Sequence, residues 1–219
     1  LSKFLTSFQA NSQDMASSIK SVVLLIILSI SMHIVISDNK NIVYRLPNNT
    51  IPDHYQIQIT TKLEKDDFNF SGFCTITIRV VIETKEIVLH SKLSTIQNIE
   101  LKSSENANIP ITNKHISDKN DFLTISLDQK LITGKLYYLT ISYFSKLRTD
   151  KLGFYRSSYT DYLGTKVWLA ATQFAPTEAR HAFPCYDEPN RKATFQIEIT
   201  HPIKLKAISG TESLGSKPK

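Results

Sequence analysis

Apolar or small residues occupy every second position from Phe68 to Ile82, and this pattern constrains the fold more than any other feature of the chain. Successive side chains of a β-strand point to opposite faces, so the alternation predicts a strand with one buried face and one face in water. The predicted buried face consists of Phe68, Phe70, Gly72, Cys74, Ile76, Ile78, Val80 and Ile82.

Similar alternation elsewhere predicts that strands make up most of the chain. It recurs in the stretches 55–59, 123–127, 139–143 and 195–199, and shorter strand candidates lie at 87–90, 96–101 and 167–171. Clusters of turn-forming residues separate them, at 65–67, 103–108, 117–121 and 133–135. No stretch after residue 40 keeps a helical period over three turns. We therefore predict an all-β fold, either a sandwich or a saddle-like sheet, without a second folded domain.

The charge balance argues against one class of partner. The 219 residues include 26 basic and 20 acidic side chains, which gives a net charge of +6. The basic residues are interspersed with acidic ones and form neither a dense run nor a stripe with aromatic side chains, as a nucleic-acid groove requires. We expect no nucleic-acid partner and interpret the surplus as a solvated surface.

The N-terminal stretch 1–37 predicts export. The chain begins with Leu1, and Met15 is the expected true start, with upstream residues before it. A lysine, an apolar block at 22–28 and small residues up to Ser37 form the layout of a secretory signal peptide.

Two alternatives stay open for this apolar stretch. Residues 21–37 are just long enough to cross a hydrocarbon layer of about 30 Å, so a membrane anchor is one of them. A core helix of a soluble protein is the other. Ser29, Ser31 and His33 weaken the anchor, because polar groups in lipid need partners.

Two features of the sequence after residue 40 agree with export without proving it. Asn48 and Asn69 each begin an Asn-x-Ser/Thr triplet, the acceptor pattern for glycans. Cys74 and Cys185 could pair in an oxidising compartment, or could be two separate buried thiols.

The stretch 172–189, here called loop 172–189, breaks the alternation. It contains too much proline for a strand and several ionisable groups among aromatic residues. Thr177 could cap one short helical turn that runs through Ala182 and ends at Pro184. A loop on a rigid sheet often carries recognition groups.

Patterns that would assemble an active site are absent from the sequence. None of the six histidines is followed by Glu, no two are spaced i, i+4, and neither a Gly-rich phosphate loop nor a Gly-x-Ser-x-Gly elbow occurs. Cys185 and His181 are a conceivable nucleophile pair but lack an evident third group to orient them. We assign no catalytic residue and no metal ligand.

A series of short motifs carries a family resemblance. They are Tyr44-Arg45-Leu46-Pro47, Pro52-x-His54-Tyr55, Phe68-x-Phe70-x-Gly72, Ile87-x-Leu89-His90-Ser91, Leu152-Gly153-Phe154-Tyr155-Arg156 and Ala182-Phe183-Pro184-Cys185-Tyr186-Asp187-Glu188-Pro189. In this order they resemble the N-terminal domain of the aminopeptidase N family of zinc metallopeptidases. The resemblance covers residues 43–209, and 210–219 is a polar tail unlike the family's continuation.

The resemblance implies a β-rich domain that packs against a separate catalytic domain of the same polypeptide. In the family, that domain binds zinc and carries Gly-x-Met-Glu-Asn and His-Glu-x-x-His motifs, neither of which occurs in these 219 residues. We therefore expect zinc in a missing catalytic domain, peptides as substrates of the full-length parent, and no activity of the 219-residue chain alone. The expected location is secreted or at the cell surface, with membrane attachment possible.

Loop 172–189 contains the residues that the resemblance implicates in function. Gln173 matches a glutamine that lines the pocket for the first substrate side chain. Many relatives place Glu or Gln two residues later to hold the substrate amine, but this chain has Ala175, which cannot accept a hydrogen bond. Arg180, Asp187 and Glu188 also match, and we interpret them as structural, because charges among aromatic residues need partners.

A rival interpretation is a free-standing, secreted β-sandwich module that binds a protein or a glycan and has no peptidase activity. The polar tail 210–219 favours it.

Overall fold

The computed structural model describes residues 43–63 and 67–216, which contain ten β-strands and one turn of 3-10 helix. All of these strands belong to the unit Tyr44–Lys219. The predicted start at Met15 and the predicted signal or anchor segment lie outside the described residues. No helix within the described ranges is long and apolar enough to span a membrane.

The strands follow one another with short connections. In chain order they are β1 (Thr50–Thr61), β2 (Asn69–Val80), β3 (Thr84–His90), β4 (Thr95–Ser103), β5 (Ile111–Ser117), β6 (Phe122–Leu131), β7 (Leu136–Lys146), β8 (Gly153–Thr160), β9 (Lys166–Gln173) and β10 (Thr194–Thr200). The 3-10 turn Ala179–His181 lies between β9 and β10.

The strands form two sheets and a hairpin. A five-stranded sheet has the order β10-β1-β2-β7-β4, and a three-stranded sheet has the order β3-β6-β5. β8 and β9 form a separate antiparallel pair. β10 lies parallel to β1, and the other neighbours in the large sheet are antiparallel. The predicted all-β class is confirmed.

The apolar faces of both sheets contribute to one core. From β2 it contains Phe70, Cys74, Ile76, Ile78 and Val80, from β7 Leu139, Ile141 and Tyr143, and from the smaller sheet Ile87, Leu89, Leu123 and Ile125. Gly72 belongs to the same face, and a Cβ there would lie 2.4 Å from the Tyr143 hydroxyl. The alternation between Phe68 and Val80 therefore gives the buried face correctly, and Gly72 makes room for a buried ring.

Two parts of the predicted alternation are wrong about burial. β2 ends at Val80, and Ile82 lies beyond it, 58% exposed. The stretch 195–199 forms β10, an edge strand of the large sheet, as predicted, but its apolar side chains are exposed. A period of two shows which residues share a face, and cannot show whether anything covers that face.

Two strands have no counterpart in the sequence prediction. β5 reads Ile-Thr-Asn-Lys-His-Ile-Ser and is exposed along nearly its whole length. β8 is polar after its first residues and becomes exposed toward its end. Both strands lack the apolar period by which strands are predicted.

Candidate functional site

The hairpin of β8 and β9 positions the first residues of loop 172–189. Gln173 ends β9 and pairs with Gly153 at the start of β8. Gly153 has a φ of 64°, and a Cβ there would lie 2.7 Å from the Cβ of His181. The hairpin and the 3-10 turn therefore meet at a backbone position that only glycine fits.

A stack of cationic and aromatic groups fixes the hairpin on the body of the domain. The Arg156 guanidinium lies 3.6 Å from the centre of the Phe68 ring and 5.3 Å from that of Trp168. The two rings meet edge to face at 4.7 Å. These contacts join β8, β9 and the residue that precedes β2.

Gln173 and Ala175 are both exposed at the end of the hairpin. Phe174 between them is half-buried and packs edge-on against Phe183, with ring centres 5.8 Å apart. Its backbone carbonyl accepts a hydrogen bond of 2.8 Å from the N–H of Glu178. Phe174 thus points inward and leaves the residues on either side in water.

The predicted helical turn is present, but its predicted cap is wrong. The turn covers Ala179–His181, and its N-cap position is Glu178 with no side-chain capping bond. Thr177 lies one residue earlier and is exposed. The turn is therefore held by tertiary contacts, not by a local cap.

The first of these contacts is an ion-pair network around Arg180, which is buried. Its Nε lies 3.0 Å from Asp187 Oδ2, and its Nη1 lies 3.2 Å from Asp121 Oδ2. Asp121 Oδ1 is also 3.0 Å from Lys92 Nζ. Burial by itself raises the pKa of the Asp121 carboxyl, but hydrogen bonds from Lys92 and Arg180 outweigh it, so the pKa is lowered.

The second contact is made by Glu188, whose side chain is largely buried. Its Oε1 accepts a hydrogen bond of 2.8 Å from the backbone N–H of Leu46. Its Oε2 lies 3.8 Å from both Arg45 Nη1 and Arg191 Nε. Glu188 thus joins the end of loop 172–189 to the residues before β1.

The third contact runs through the core. The backbone of Cys185 bridges to His90 of β3, with N–H to O distances of 2.8 and 3.0 Å. The Tyr186 hydroxyl donates to Thr50 Oγ1 at 2.8 Å, and the Tyr186 N–H donates to the Tyr55 hydroxyl at 3.0 Å. The exposed residues 175–177 are therefore followed by a segment that is anchored to both sheets, to β3 through Cys185 and to β1 through Tyr186.

His181 lies beside an acidic side chain of the same turn. Its Nδ1 lies 3.0 Å from Glu178 Oε2, although the geometry is not that of a hydrogen bond. Burial, followed by the charge of Arg148, lowers the pKa of His181. Burial also raises the pKa of the Cys185 thiol. This environment favours a neutral thiol beside other core groups, not an activated Cys185–His181 pair.

Within the ranges that the structure describes, no three His, Cys, Asp or Glu side chains lie close enough to hold a metal ion. Cys74 and Cys185 are both buried and unbonded to each other. The described residues therefore supply a surface and an anchored loop, and do not form a zinc site.

The two predicted glycan acceptors lie on the surface. Asn48 is exposed, and its Oδ1 accepts a hydrogen bond of 2.5 Å from Arg191. Asn69 is exposed at the first position of β2, where its Nδ2 donates to Asp67 Oδ1 at 3.0 Å.

Comparison with known protein families shows the family to which the chain belongs. The sequence profile of the Peptidase M1 N-terminal domain matches residues 51–219. The chain belongs to the peptidase M1 family. The resemblance to the N-terminal domain of aminopeptidase N enzymes, inferred from the motifs, is confirmed.

Relatives of this M1 domain are aminopeptidases from animals. Glutamyl aminopeptidase of Rattus norvegicus is 33% identical over 169 residues, which are 76% of this chain and 18% of the relative. Membrane alanyl aminopeptidase of Heliothis virescens is 33% identical over 184 residues, 80% of this chain and 18% of the relative. Puromycin-sensitive aminopeptidase of Caenorhabditis elegans is 33% identical over 174 residues, with coverage of 80% and 18%. The M1 domain thus spans about a fifth of the length of the relatives it matches.

The structure separates the predicted residues into two groups. Gln173 and Ala175 are exposed where the hairpin ends. Arg180, Asp187 and Glu188 are turned toward protein partners. Asp121, the partner that Arg180 and Lys92 share, was not predicted from the sequence. Its only local signal was its place in a turn cluster, where it adopts a φ of 58°.

Proposed function

We propose that this chain forms the rim of the peptide-binding cleft in a zinc-dependent aminopeptidase, and that the zinc site lies in a catalytic domain outside these residues. Family membership carries the proposal, since the relatives are named as aminopeptidases. The geometry of loop 172–189 supports it. Gln173 and Ala175 are exposed, while Arg180 and Glu188 fix the chain that follows.

In this proposal Gln173 contacts the first side chain of the peptide. Its amide can donate and accept hydrogen bonds, so it suits substrates of more than one polarity. Phe174 packs inward and sets the direction in which Gln173 points. Arg180, Asp187 and Glu188 position this surface and do not touch substrate.

With Ala175, the rim should bind a substrate amine more weakly than it would with a glutamate at this position. A hydrogen bond to a charged group contributes about 1.5 to 3 kcal/mol, which corresponds to about ten- to a hundredfold in affinity. We therefore propose an enzyme with altered selectivity.

The experiment compares the chain alone with a chimera in which residues 51–219 replace the matching region of rat glutamyl aminopeptidase. The chain alone should release no chromogenic amide from Leu, Ala or Glu substrates, whereas the chimera should. In the chimera, Ala175→Glu should lower KM about tenfold, and Thr177→Glu, an exposed change in the same loop, should leave KM unchanged. Chelator-sensitive turnover by the chain alone, or equal effects of both substitutions, would contradict the proposal.

We further propose that the parent protein is secreted or attached to the cell surface. The name of the Heliothis virescens relative includes a membrane location, and the exposed Asn48 and Asn69 suit glycan attachment. Expression in a eukaryotic secretory system, followed by glycosidase treatment, should reveal a mass shift that Asn48→Gln and Asn69→Gln together abolish. An unmodified secreted chain would contradict the glycan assignment.

A further inference from the structure

The junction between the β8–β9 hairpin and the 3-10 turn encloses the side chain of His181, of which only 11% is exposed. The Cβ of His181 lies 2.7 Å from the position that a Cβ of Gly153 would occupy. Gly153 pairs with Gln173, the last residue of β9. His181 is therefore a contact through which the turn supports the strand end that carries Gln173.

The ring of His181 is enclosed without hydrogen bonds. Within the part of the chain that the structure describes, neither ring nitrogen has a hydrogen-bond partner, although both are buried. Glu178 Oε2, which lies 3.0 Å from Nδ1, is buried and unbonded in the same way. Because described residues already enclose these atoms, a further part of the polypeptide cannot reach them while the junction keeps this geometry. The immediate neighbours of the ring therefore decide whether it can carry a charge.

The groups that face the ring carry charges of both signs. Glu178 of the same turn and Asp121 before β6 attract a proton, whereas Arg148 after β7 and Lys92 after β3 repel it. Burial is the largest effect and, followed by the charge of Arg148, lowers the pKa of His181 from its ordinary value of 6.5. The closed junction therefore favours the neutral ring.

A proton on the ring creates a need that the closed junction does not meet. The protonated ring has two N–H donors and a full charge. Glu178 offers an acceptor to one of these donors, but among the described residues no acceptor is placed to receive the other. A buried donor without an acceptor keeps the full cost of its desolvation, which release of the ring into water removes.

We propose that His181 is a proton-sensitive positioning residue, and that protonation of its ring frees the 3-10 turn from Gly153 and loosens the strand end that carries Gln173. The consequence for substrate rests on the proposed function, in which Gln173 lines the cleft. At neutral pH the junction is closed and Gln173 is held in place, and in mildly acidic surroundings the junction opens. Because His181 does not touch the reacting atoms, acid should act through KM and not through kcat.

Amide hydrogen exchange of the purified chain, corrected for the intrinsic effect of pH, measures this opening. The amides of Glu178, His181 and Ala182 are hydrogen-bonded within the segment, and those of β2 report global unfolding. A released ring has the ordinary pKa of 6.5 and binds the proton more readily than the enclosed one. Exchange in the turn should therefore accelerate, relative to β2, by up to about tenfold between about pH 7.5 and about pH 5.5.

A histidine outside the junction provides the matched control. His181→Gln should remove the acceleration, because glutamine does not titrate. His115 is exposed on β5, and His115→Gln should leave the acceleration unchanged. A ratio of exchange rates that ignores pH, or an acceleration that survives His181→Gln, overturns the proposal.

A second pair of substitutions tests the electrostatic cause and keeps the imidazole. Arg148→Met removes a cation that faces the ring, so the closed junction should tolerate the proton better and the acceleration should shrink. Lys146→Met removes an exposed cation at the end of β7 and should have no such effect. Equal accelerations in the two variants would refute the role of the charges around His181.

The chimera with rat glutamyl aminopeptidase tests the connection to Gln173. Between about pH 7.5 and about pH 5.5, KM for a Leu substrate should rise about two- to fivefold more in the unmodified chimera than in its His181→Gln variant, while the kcat profiles stay parallel. A KM profile that His181→Gln leaves unchanged overturns the connection to Gln173. A chimera without turnover would contradict the proposed function, and amide exchange in the chain alone would still decide whether His181 opens the junction.

Discussion

At the scale of single residues, loop 172–189 is held by polar groups whose partners come from distant parts of the chain. Asp187 donates its backbone N–H to His90 Nδ1, and Tyr186 reaches Thr50 and Tyr55. A buried polar group that loses its partner keeps the cost of its desolvation. Single substitutions in this network should therefore be more harmful than the small size of the loop suggests.

Removal of Asp187 tests the ion-pair network. The side chains of Arg180 and Asp187 are 11% and 10% exposed, so Asp187→Ala leaves a buried guanidinium with Asp121 as its one remaining carboxylate partner among the described residues. We expect the free energy of unfolding to fall by about 2 to 4 kcal/mol, measured by urea denaturation. The double variant Arg180→Met/Asp187→Leu should lose less, because no buried charge then stays unpaired.

An exposed ion pair provides the control for this experiment. Lys130 and Glu83 lie 3.5 Å apart with side chains 64% and 54% exposed. Glu83→Ala should change the free energy of unfolding by less than about 0.5 kcal/mol. Similar losses of unfolding free energy in Asp187→Ala and Glu83→Ala would show that burial does not determine how much the Arg180 ion pairs contribute to stability.

His90 should make the stability of the domain depend on pH. Burial, followed by the charge of Arg180, lowers the pKa of His90 from 6.5 to about 4. The unfolded chain binds the proton more readily, so stability is complete above about pH 6.5 and is lost as the pH falls toward about 4. Allowing for solvent screening, the loss should be about 1 to 2 kcal/mol.

Urea denaturation at about pH 7 and about pH 4.5 measures this loss. His90→Gln should reduce the difference between the two pH values, since glutamine does not titrate. His115 is exposed on β5, and His115→Gln should leave the difference unchanged. An unaltered difference in His90→Gln would assign the pH dependence to other groups.

At the scale of elements, the hairpin of β8 and β9 depends on the stack between Arg156 and two rings. The chain contains a single tryptophan, Trp168, so its fluorescence reports directly on this stack. Arg156→Ala should destabilise the hairpin by about 1 kcal/mol, accelerate amide exchange in both strands and shift the emission of Trp168 to the red. Lys166→Ala, which removes a cation from the same indole, is the matched comparison and should have a smaller effect. Unchanged exchange after Arg156→Ala would contradict the role of the stack.

Sequence patterns predicted the strands whose apolar residues alternate, and failed where that alternation is absent. β1 and β2 were predicted because their inward residues alternate regularly, and burial confirms that alternation. β5 was missed because its pairing with β6, not an apolar face, holds it in place. β10 was predicted as a strand, but no local pattern shows that its apolar side chains are exposed in the folded chain.

The residues of the candidate site could be selected from the sequence, but one of their partners could not. Gln173, Arg180 and Glu188 were selected because they match family motifs. Asp121 was not, since it follows Asp118 and Lys119 in a turn that resembles an ordinary solvated loop. Only the folded chain brings that turn against Arg180, at a distance of 59 residues in sequence.

At the scale of the whole molecule, the two sheets share one core, and a cysteine lies on each side of the junction. Cys74 belongs to β2 of the large sheet, and its Sγ lies 3.7 Å from the carbonyl oxygen of Pro184. Cys185 bridges to His90 at the end of β3, in the smaller sheet. Both thiols are buried at this junction.

Thiol reactivity should therefore report on global unfolding. Burial is the main cause that raises the pKa of both thiols, so each is protonated as well as enclosed. An aromatic disulfide reagent at about pH 8 should label neither cysteine of the native chain and both in denaturant, with a labelling rate that rises with urea in step with unfolding. Ser158→Cys adds a thiol at an exposed position of the β8–β9 hairpin and should react at once. Fast labelling of the native chain would show that the core is open. Two cysteines that stay unreactive in denaturant until a reductant is added would show that the pair is oxidised.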